Sequence, residues 1–97
     1  MKKDVETISG ALEAVRRLRG VRFDWRTDEP AAMGYPEGRQ VGLIGQEVEA
    51  VMPEIVRTGQ DGYKSLDYSK MVPVLVEAIK EQQAQIDALL SDRTRDK

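Results

Sequence analysis

The sequence predicts an α+β fold, in which a small domain of short strands and helices is followed by a long C-terminal helix. Two observations support this prediction. Between residues 21 and 66, short stretches alternate apolar and polar residues, as strands with one buried face do, and turn residues separate them. From about Tyr68 to about Leu90 the apolar residues instead recur at helical spacing. We expect a compact core over residues 1–66 and the long helix, with a frayed tail, over residues 67–97.

The composition excludes several classes of function. The 97 residues include no cysteine and no histidine, which excludes disulfides, thiolate nucleophiles, Ser-His-Asp triads and metal sites built from these residues. We expect neither a metal nor a cofactor. The formal net charge is −2, which argues against nucleic-acid binding through bulk charge. No apolar run approaches the roughly 20 residues that span a bilayer, so we expect no membrane segment.

A short helix is predicted near residues 10–19, where apolar residues fall at helical spacing. Ser9 is placed to serve as its N-cap, and Gly20 stands where a left-handed C-terminal cap belongs. The arginines between residues 16 and 22 are interpreted as a solvated face, because acidic residues match basic ones over the chain.

Two short strands are predicted next, with a long loop between them. Residues 21–25 alternate apolar and charged side chains, which predicts a strand with Phe23 and Trp25 in the core. Residues 26–40 contain two prolines and two glycines among several charges, which is typical of a loop. Residues 41–44 form the second apolar stretch.

A helix and a hairpin follow. Residues 46–52 predict two helical turns that Pro53 ends. The glycines around this segment match neither a dinucleotide fingerprint nor a phosphate-binding loop. Residues 55–58 and 63–66 predict a hairpin in which Asp61-Gly62 supplies the turn residues of positive φ.

The last helix is predicted to begin after Asp67, a suitable N-cap. We expect Pro73 to bend it, because proline removes one backbone donor. The apolar residues of this helix follow spacings of three and four that define an a/d heptad seam. The seam consists of Val72, Ile79 and Ile86 at a, and of Leu75, Gln82 and Leu89 at d.

The seam changes character along the helix. Up to Ile79 the helix is apolar nearly all round, so we expect this part to pack on its own domain. Beyond Lys80 only the narrow stripe remains, which favours a parallel bundle of helices from several copies. Gln82 is a polar layer that helps to fix the register. Isoleucine at a with leucine at d, considered alone, favours a dimer.

A Ser-Lys dyad is the one nucleophilic arrangement that this composition permits, since a lysine can accept the proton of a serine hydroxyl. Ser65 and Lys70 are five residues apart but straddle a strand-to-helix junction. We therefore interpret them as a strand residue and a solvated helix residue. Ser91 lies near the frayed tail, and Lys2, from the residues alone, is a solvated terminal lysine.

Five stretches of the chain are distinctive when taken together in their order. They are Leu-Arg-Gly-Val-Arg-Phe-Asp-Trp at 18–25, Gly-Leu-Ile-Gly-Gln-Glu-Val at 42–48, Met-Pro-Glu at 52–54, Gly-Tyr-Lys-Ser-Leu-Asp-Tyr-Ser-Lys-Met-Val-Pro at 62–73 and Glu-Ala-Ile-Lys-Glu at 77–81. With this order and spacing the chain resembles the intramolecular chaperone domain at the C-terminus of phage endosialidases, tail spikes and tail fibres. Similar domains occur in bacterial surface fibres and in a membrane-tethered animal transcription factor. The resemblance extends from Lys2 to about residue 90.

The resemblance implies a homotrimer whose helices bundle and which clasps the ends of an N-terminally attached fibre or spike. Many members then release themselves with a Ser-Lys dyad, and Lys2 aligns with the catalytic lysine. The serine would fall just before residue 1, so we expect the chain as given to be inactive as a protease. Gly45 stands where the family usually has alanine, and we expect this change to matter little.

The predicted function is that of an intramolecular chaperone that promotes trimerisation and folding of a phage-type tail fibre or tail spike. The predicted location is the host cytoplasm during assembly, or the virion tail or bacterial cell surface if the domain is retained. Three other interpretations stay open. The chain could be an active self-cleaving protease once the upstream serine is present, a permanent trimerisation module of a bacterial surface fibre, or a monomeric adaptor.

Overall fold

A computed structural model describes residues 1–26 and 37–95, with the side chains resolved as far as Arg93. It confirms the α+β class. The helices are α1 (Ala11–Arg16), α2 (Gly45–Val51) and α3 (Met71–Arg95), the strands are β1 (Val21–Phe23), β2 (Gln40–Gly42), β3 (Val56–Thr58) and β4 (Lys64–Leu66), and 3-10 turns occupy Pro53–Ile55 and Tyr68–Lys70.

The chain forms two compact units. One consists of Met1–Arg16 together with Ser69–Lys97, and the other of Arg17–Tyr68. The N-terminal segment therefore belongs with the long helix rather than with the strands. The division of the chain into domains at residue 66 stays a prediction.

The core of the second unit lies between α2 and the hairpin that follows it. Strands β3 and β4 pair antiparallel, with Val56 opposite Leu66. The fully buried side chains of Val48 and Ile55 fill the space next to them. The carbonyl of Ile55 also accepts a hydrogen bond from the Asp67 amide at 2.9 Å. This bond ties the chain after β4 to the turn that precedes β3.

Strands β1 and β2 form the other two-stranded antiparallel sheet, with Phe23 opposite Gln40. The hydroxyl of Tyr68 accepts a hydrogen bond from the Leu43 amide at 3.1 Å. A Cβ atom at Gly42 would lie 2.7 Å from this hydroxyl and 3.2 Å from Phe23 Cε1. Position 42 is therefore glycine because a tyrosine and a phenylalanine side chain both approach its backbone closely.

The prediction that Trp25 lies in the core is wrong. β1 ends at Phe23, so strand alternation no longer sets the direction of the following side chains. Trp25 is 39% exposed and packs edge-on against Phe23, with the ring centroids 5.0 Å apart. Phe23 itself is half-buried. The predicted loop at 26–40 lies mostly outside the described residues.

The predicted hairpin is confirmed, with a change at its turn. Gly62 has a φ of +83°, as expected, whereas Asp61 is not among the residues of positive φ. The Asp61 carboxylate instead accepts a hydrogen bond from the Tyr63 amide at 3.0 Å. A second bond, from the Gly59 amide to the Tyr63 carbonyl at 2.9 Å, closes the wider loop. Asp61 thus acts through its side chain.

Both predicted ends of α1 need correction. Gly10, with a φ of +68°, precedes the helix, and its carbonyl accepts the first helical bond from Ala14 at 3.1 Å. Gly10, not Ser9, therefore occupies the N-cap position. The helix ends at Arg16, and Gly20 does not have the positive φ of a left-handed cap. Leu18 and its neighbours belong to the other compact unit.

Pro73 lies in the first turn of α3, because the α-helix begins at Met71 after the 3-10 turn of Tyr68–Lys70. The first four amides of any α-helix lack a partner within the helix, so the missing donor costs little there. The expected position, a turn and a half into a helix begun at Tyr68, is wrong. The α-helix also continues to Arg95, past the predicted end near Leu90.

In the first unit, a carboxylate of α3 holds the start of α1. Glu81 accepts hydrogen bonds from the amides of Ala11, at 2.9 Å, and Leu12, at 3.4 Å. These amides are among those that a helix leaves unpaired at its N-terminus, where negative charge is also favourable. Glu81, 70 residues away in sequence, therefore replaces the local side-chain cap that Ser9 was expected to supply.

We predict that Glu81→Ala lowers the free energy of unfolding by about 1–2 kcal/mol, the usual cost of losing a helix cap. Chemical denaturation at a fixed protein concentration measures this, and hydrogen exchange of the Ala11 and Leu12 amides should quicken. Gln85→Ala, one turn along the same helix and exposed, is the control and should change little. Equal effects of the two substitutions would contradict the cap.

A second prediction concerns acid stability. Arg19 donates two hydrogen bonds to Glu47, at 2.9 and 2.8 Å, and these bonds hold the pKa of Glu47 below its ordinary value. A carboxyl whose pKa is lower when folded stabilises the fold above its unfolded pKa, and this stabilisation disappears as the pH falls through the folded pKa. Glu47→Gln should therefore make stability less dependent on pH below the ordinary glutamate pKa.

Denaturation midpoints measured along a descending pH series check the Glu47 prediction. Glu54→Gln is the control, since Glu54 is exposed and has no ion pair among the described residues. If both variants lose stability with acid as steeply as the parent chain, the Arg19–Glu47 pair does not contribute to acid stability.

Candidate functional site

The candidate site is the surface of α3, whose apolar residues fall on two different faces. One face is buried within the chain: Met71, Val74 and Ala78 are each less than one-tenth exposed, and Glu81 continues this face one turn further on. Helix α1 packs against α3, and the bonds from Glu81 place it on this side. The chain itself therefore covers the face of α3 that carries Met71, Val74 and Ala78.

The other face is the predicted heptad seam, and it is exposed. Ile79 and Leu89 are each 65% exposed, and every other seam position is exposed as well. The seam consists of Val72, Leu75, Ile79, Gln82, Ile86 and Leu89. At about 100° per residue, the seam and the buried face are centred roughly 100° apart on the helix. The expectation that the helix packs on its own domain up to Ile79 is thus wrong for the seam side.

The C-terminal half of α3 is exposed in the single chain. Every side chain from Gln82 to Arg93 is exposed. A hydrogen bond from Gln83 to Asp87 at 2.8 Å is one of the few polar contacts there, and such pairs stabilise a helix by only about 0.2–0.5 kcal/mol. Isolated helices of this length are marginal in water, so this half is expected to be only marginally stable in a single chain.

A groove lies beside the start of α3. It has a volume of about 450 Å³ and is lined by residues 5–8 and by Pro73, Val76 and Glu77. Val5 is 79% exposed. The groove therefore presents apolar walls to solvent, with the carboxylates of Glu6 and Glu77 among its lining residues.

The structure brings no catalytic pair to Lys2. This side chain is exposed in the N-terminal segment and makes no hydrogen bond or ion pair with residues 1–26 or 37–95. Ser65 lies exposed on β4, and Lys70 is exposed just before α3. The role of Lys2 therefore stays a prediction.

Sequence reasoning did not identify Lys64 as a candidate site residue, although its side chain makes two hydrogen bonds in the structure. Its Nζ donates to Glu49 at 2.9 Å and to Thr58 at 3.0 Å. A Cβ at Gly45 would lie 3.0 Å from Lys64 Cβ. An alanine at position 45 would need Lys64 to shift by a few tenths of an ångström, and the expectation that glycine here is a minor change stays a prediction.

Two other classes of site are missing from the described part of the chain. No group of three or more acidic side chains there is placed to hold a metal ion. None of the helices there combines the length and the apolar character needed to cross a membrane.

Comparison with known proteins places the chain in a family. The family model described as "Chaperone of endosialidase" matches residues 1–57. The chain is 29% identical over 94 residues to the Long tail fiber protein Gp37 of Salmonella phage S16, which covers 92% of this chain and 12% of that protein. It is 32% identical over 95 residues to the protein of the same name from Enterobacteria phage K3, covering 94% of this chain and 7% of that protein.

The chain thus spans only 12% and 7% of the length of these two relatives. The family match covers α1, β1, β2 and α2 and ends within β3. The chain belongs to the endosialidase chaperone family.

Proposed function

We propose that this chain is the assembly chaperone of a phage tail fibre and that it acts as a homotrimer built on the α3 seam. The observation that carries this proposal is the exposed seam on a helix whose other apolar face is already covered. An apolar stripe of this length at heptad spacing is costly to leave in water and suits a parallel bundle.

The number of copies comes from the family and not from the seam. Isoleucine at a and leucine at d would by themselves favour two strands, whereas the family resemblance implies three copies. Gln82 adds one polar layer to the bundle, which would align the three chains in one register at some cost in stability.

A trimer of this kind suits the early steps of fibre assembly. Three long chains must meet in register before any contact between them stabilises the fibre, and this first step is entropically unfavourable. A small domain that folds early and associates through α3 raises the effective concentration of the attached chains. The tail-fibre relatives support a fibre as the attached partner. The domain would act in the host cytoplasm during assembly, and at the virion tail while still attached.

Release of the finished fibre is part of this proposal. The unpaired and exposed Lys2 would be available to a serine supplied by a segment before residue 1, and cleavage there would leave the fibre kinetically trapped in its assembled form. A chain joined to such a segment should produce a new band on a denaturing gel, and Lys2→Ala should abolish it. Cleavage that persists in Lys2→Ala would remove Lys2 from the mechanism.

The seam is tested by Ile86→Asp. Ile86 is exposed in the single chain, so the fold of each copy should survive, whereas a ring of carboxylates buried in the seam should dissociate the trimer at a cost of about 3 kcal/mol or more. Sedimentation should show three times the 10.9 kDa chain mass for the parent and the single-chain mass for the variant.

Ala84→Asp is the matched control for Ile86→Asp, because position 84 lies on the side of α3 opposite the seam. This variant should retain the trimer mass. A parent chain that sediments as a folded single copy at micromolar concentration would contradict the proposed function.

A further inference from the structure

The groove beside α3 and the seam are continuous along the helix. Val76, which lines the groove, is one helical turn from both Val72 and Ile79 of the seam. In heptad terms Val76 is an e position, whereas Met71 and Ala78 are g positions. The groove therefore opens on the e side of α3, and α1 packs over the side that carries the g residues.

In a parallel coiled coil, the g side of one helix lies beside the e side of the next. A copy that places its α3 against the seam of another therefore brings its own α1 to the partner's e side, where the groove is. In a trimer each α1 would enter the groove of the next copy. The three contacts would close a ring in which each groove receives one α1.

The two surfaces match in chemistry. On α1, Leu12 and Val15 remain half-buried, so part of their apolar surface is uncovered, and Arg16 is exposed at the C-terminal end. In the groove, Ile8 and Val76 are 40% and 48% exposed. Glu6 and Glu77 add two carboxylates to the groove, which suit an approaching cation. Within the single chain Glu77 pairs with Lys80 at 3.2 Å and Arg16 pairs with Glu13 at 3.7 Å, so the docked contact would exchange these pairs.

We propose that the groove formed by residues 5–8 and the start of α3 receives the α1 helix of a neighbouring copy of this chain. This inference rests on the proposed trimer and names a second contact outside its seam. Because Glu81 fixes α1 to its own α3, the contact would order the N-terminal segments of all three copies around the bundle. In the proposed trimer those segments would lead to the attached fibre, so the docked α1 helices would set the register of the three fibre chains.

The test uses the absence of cysteine from the chain. One preparation carries Arg16→Cys and a second carries Val76→Cys, each with a distinguishable mass label. The two are unfolded together, refolded to mix the copies and oxidised gently. A disulfide forms only between positions whose Cα atoms come within about 7 Å. We expect a two-chain band on a non-reducing gel that contains both labels, with the disulfide between positions 16 and 76 identified by mass spectrometry of the linked peptides.

A mixture of Arg16→Cys with Ala84→Cys is the control, since position 84 lies further along α3 and outside the groove. The mixed-label band should be at least tenfold weaker there. Val5→Cys, on the opposite wall of the groove, repeats the test should the Val76 variant lose its fold.

The outcomes separate this inference from the proposed function. If the mixture sediments as a trimer but neither groove position links to Arg16→Cys above the control, the docking of α1 is wrong while the seam trimer stands. If the parent chain forms no trimer, both fail. A mixed-label band in a trimeric sample supports the docking.

Discussion

The packing of α1 on one face of α3 is the constraint from which the other features follow. Once Met71, Val74 and Ala78 are covered within the chain, the remaining apolar residues of α3 cannot reach its own core. The Glu81 carboxylate fixes this choice by bonding to the first amides of α1. A helix that is apolar nearly all round thus has one face covered within the chain and a second apolar face that is exposed.

The length of α3 makes association and folding interdependent. At about 1.5 Å per residue, the helix from Met71 to Arg95 is about 37 Å long, and its side chains from Gln82 to Arg93 are exposed. Such a helix is marginal without partners. Association through the seam would stabilise it, so the folded length of α3 would depend on the presence of other copies.

The second compact unit, Arg17–Tyr68, contains both small sheets. Its small sheets are short, and side chains approach two glycines closely: a Cβ at Gly42 would lie 2.7 Å from the Tyr68 hydroxyl, and one at Gly45 would lie 3.0 Å from Lys64 Cβ. These close approaches favour glycine at positions 42 and 45. They involve Lys64 and Tyr68, which belong to the Tyr-Lys-Ser-Leu-Asp-Tyr segment. Part of the sequence that resembles the chaperone family therefore completes a very small core. The exposed apolar seam lies elsewhere in the chain, on α3.

Local patterns in the chain were enough to predict the α+β class, the hairpin with Gly62 at its turn and the heptad spacing of the seam, because each depends on residues close together in sequence. They did not predict that Trp25 is exposed, that α1 ends at Arg16 or that Glu81 replaces Ser9 at the start of α1. Periodicity decides which residues share a face of a helix. Only contacts between distant residues decide which face is covered, and the bond from Ala11 to Glu81 spans 70 positions.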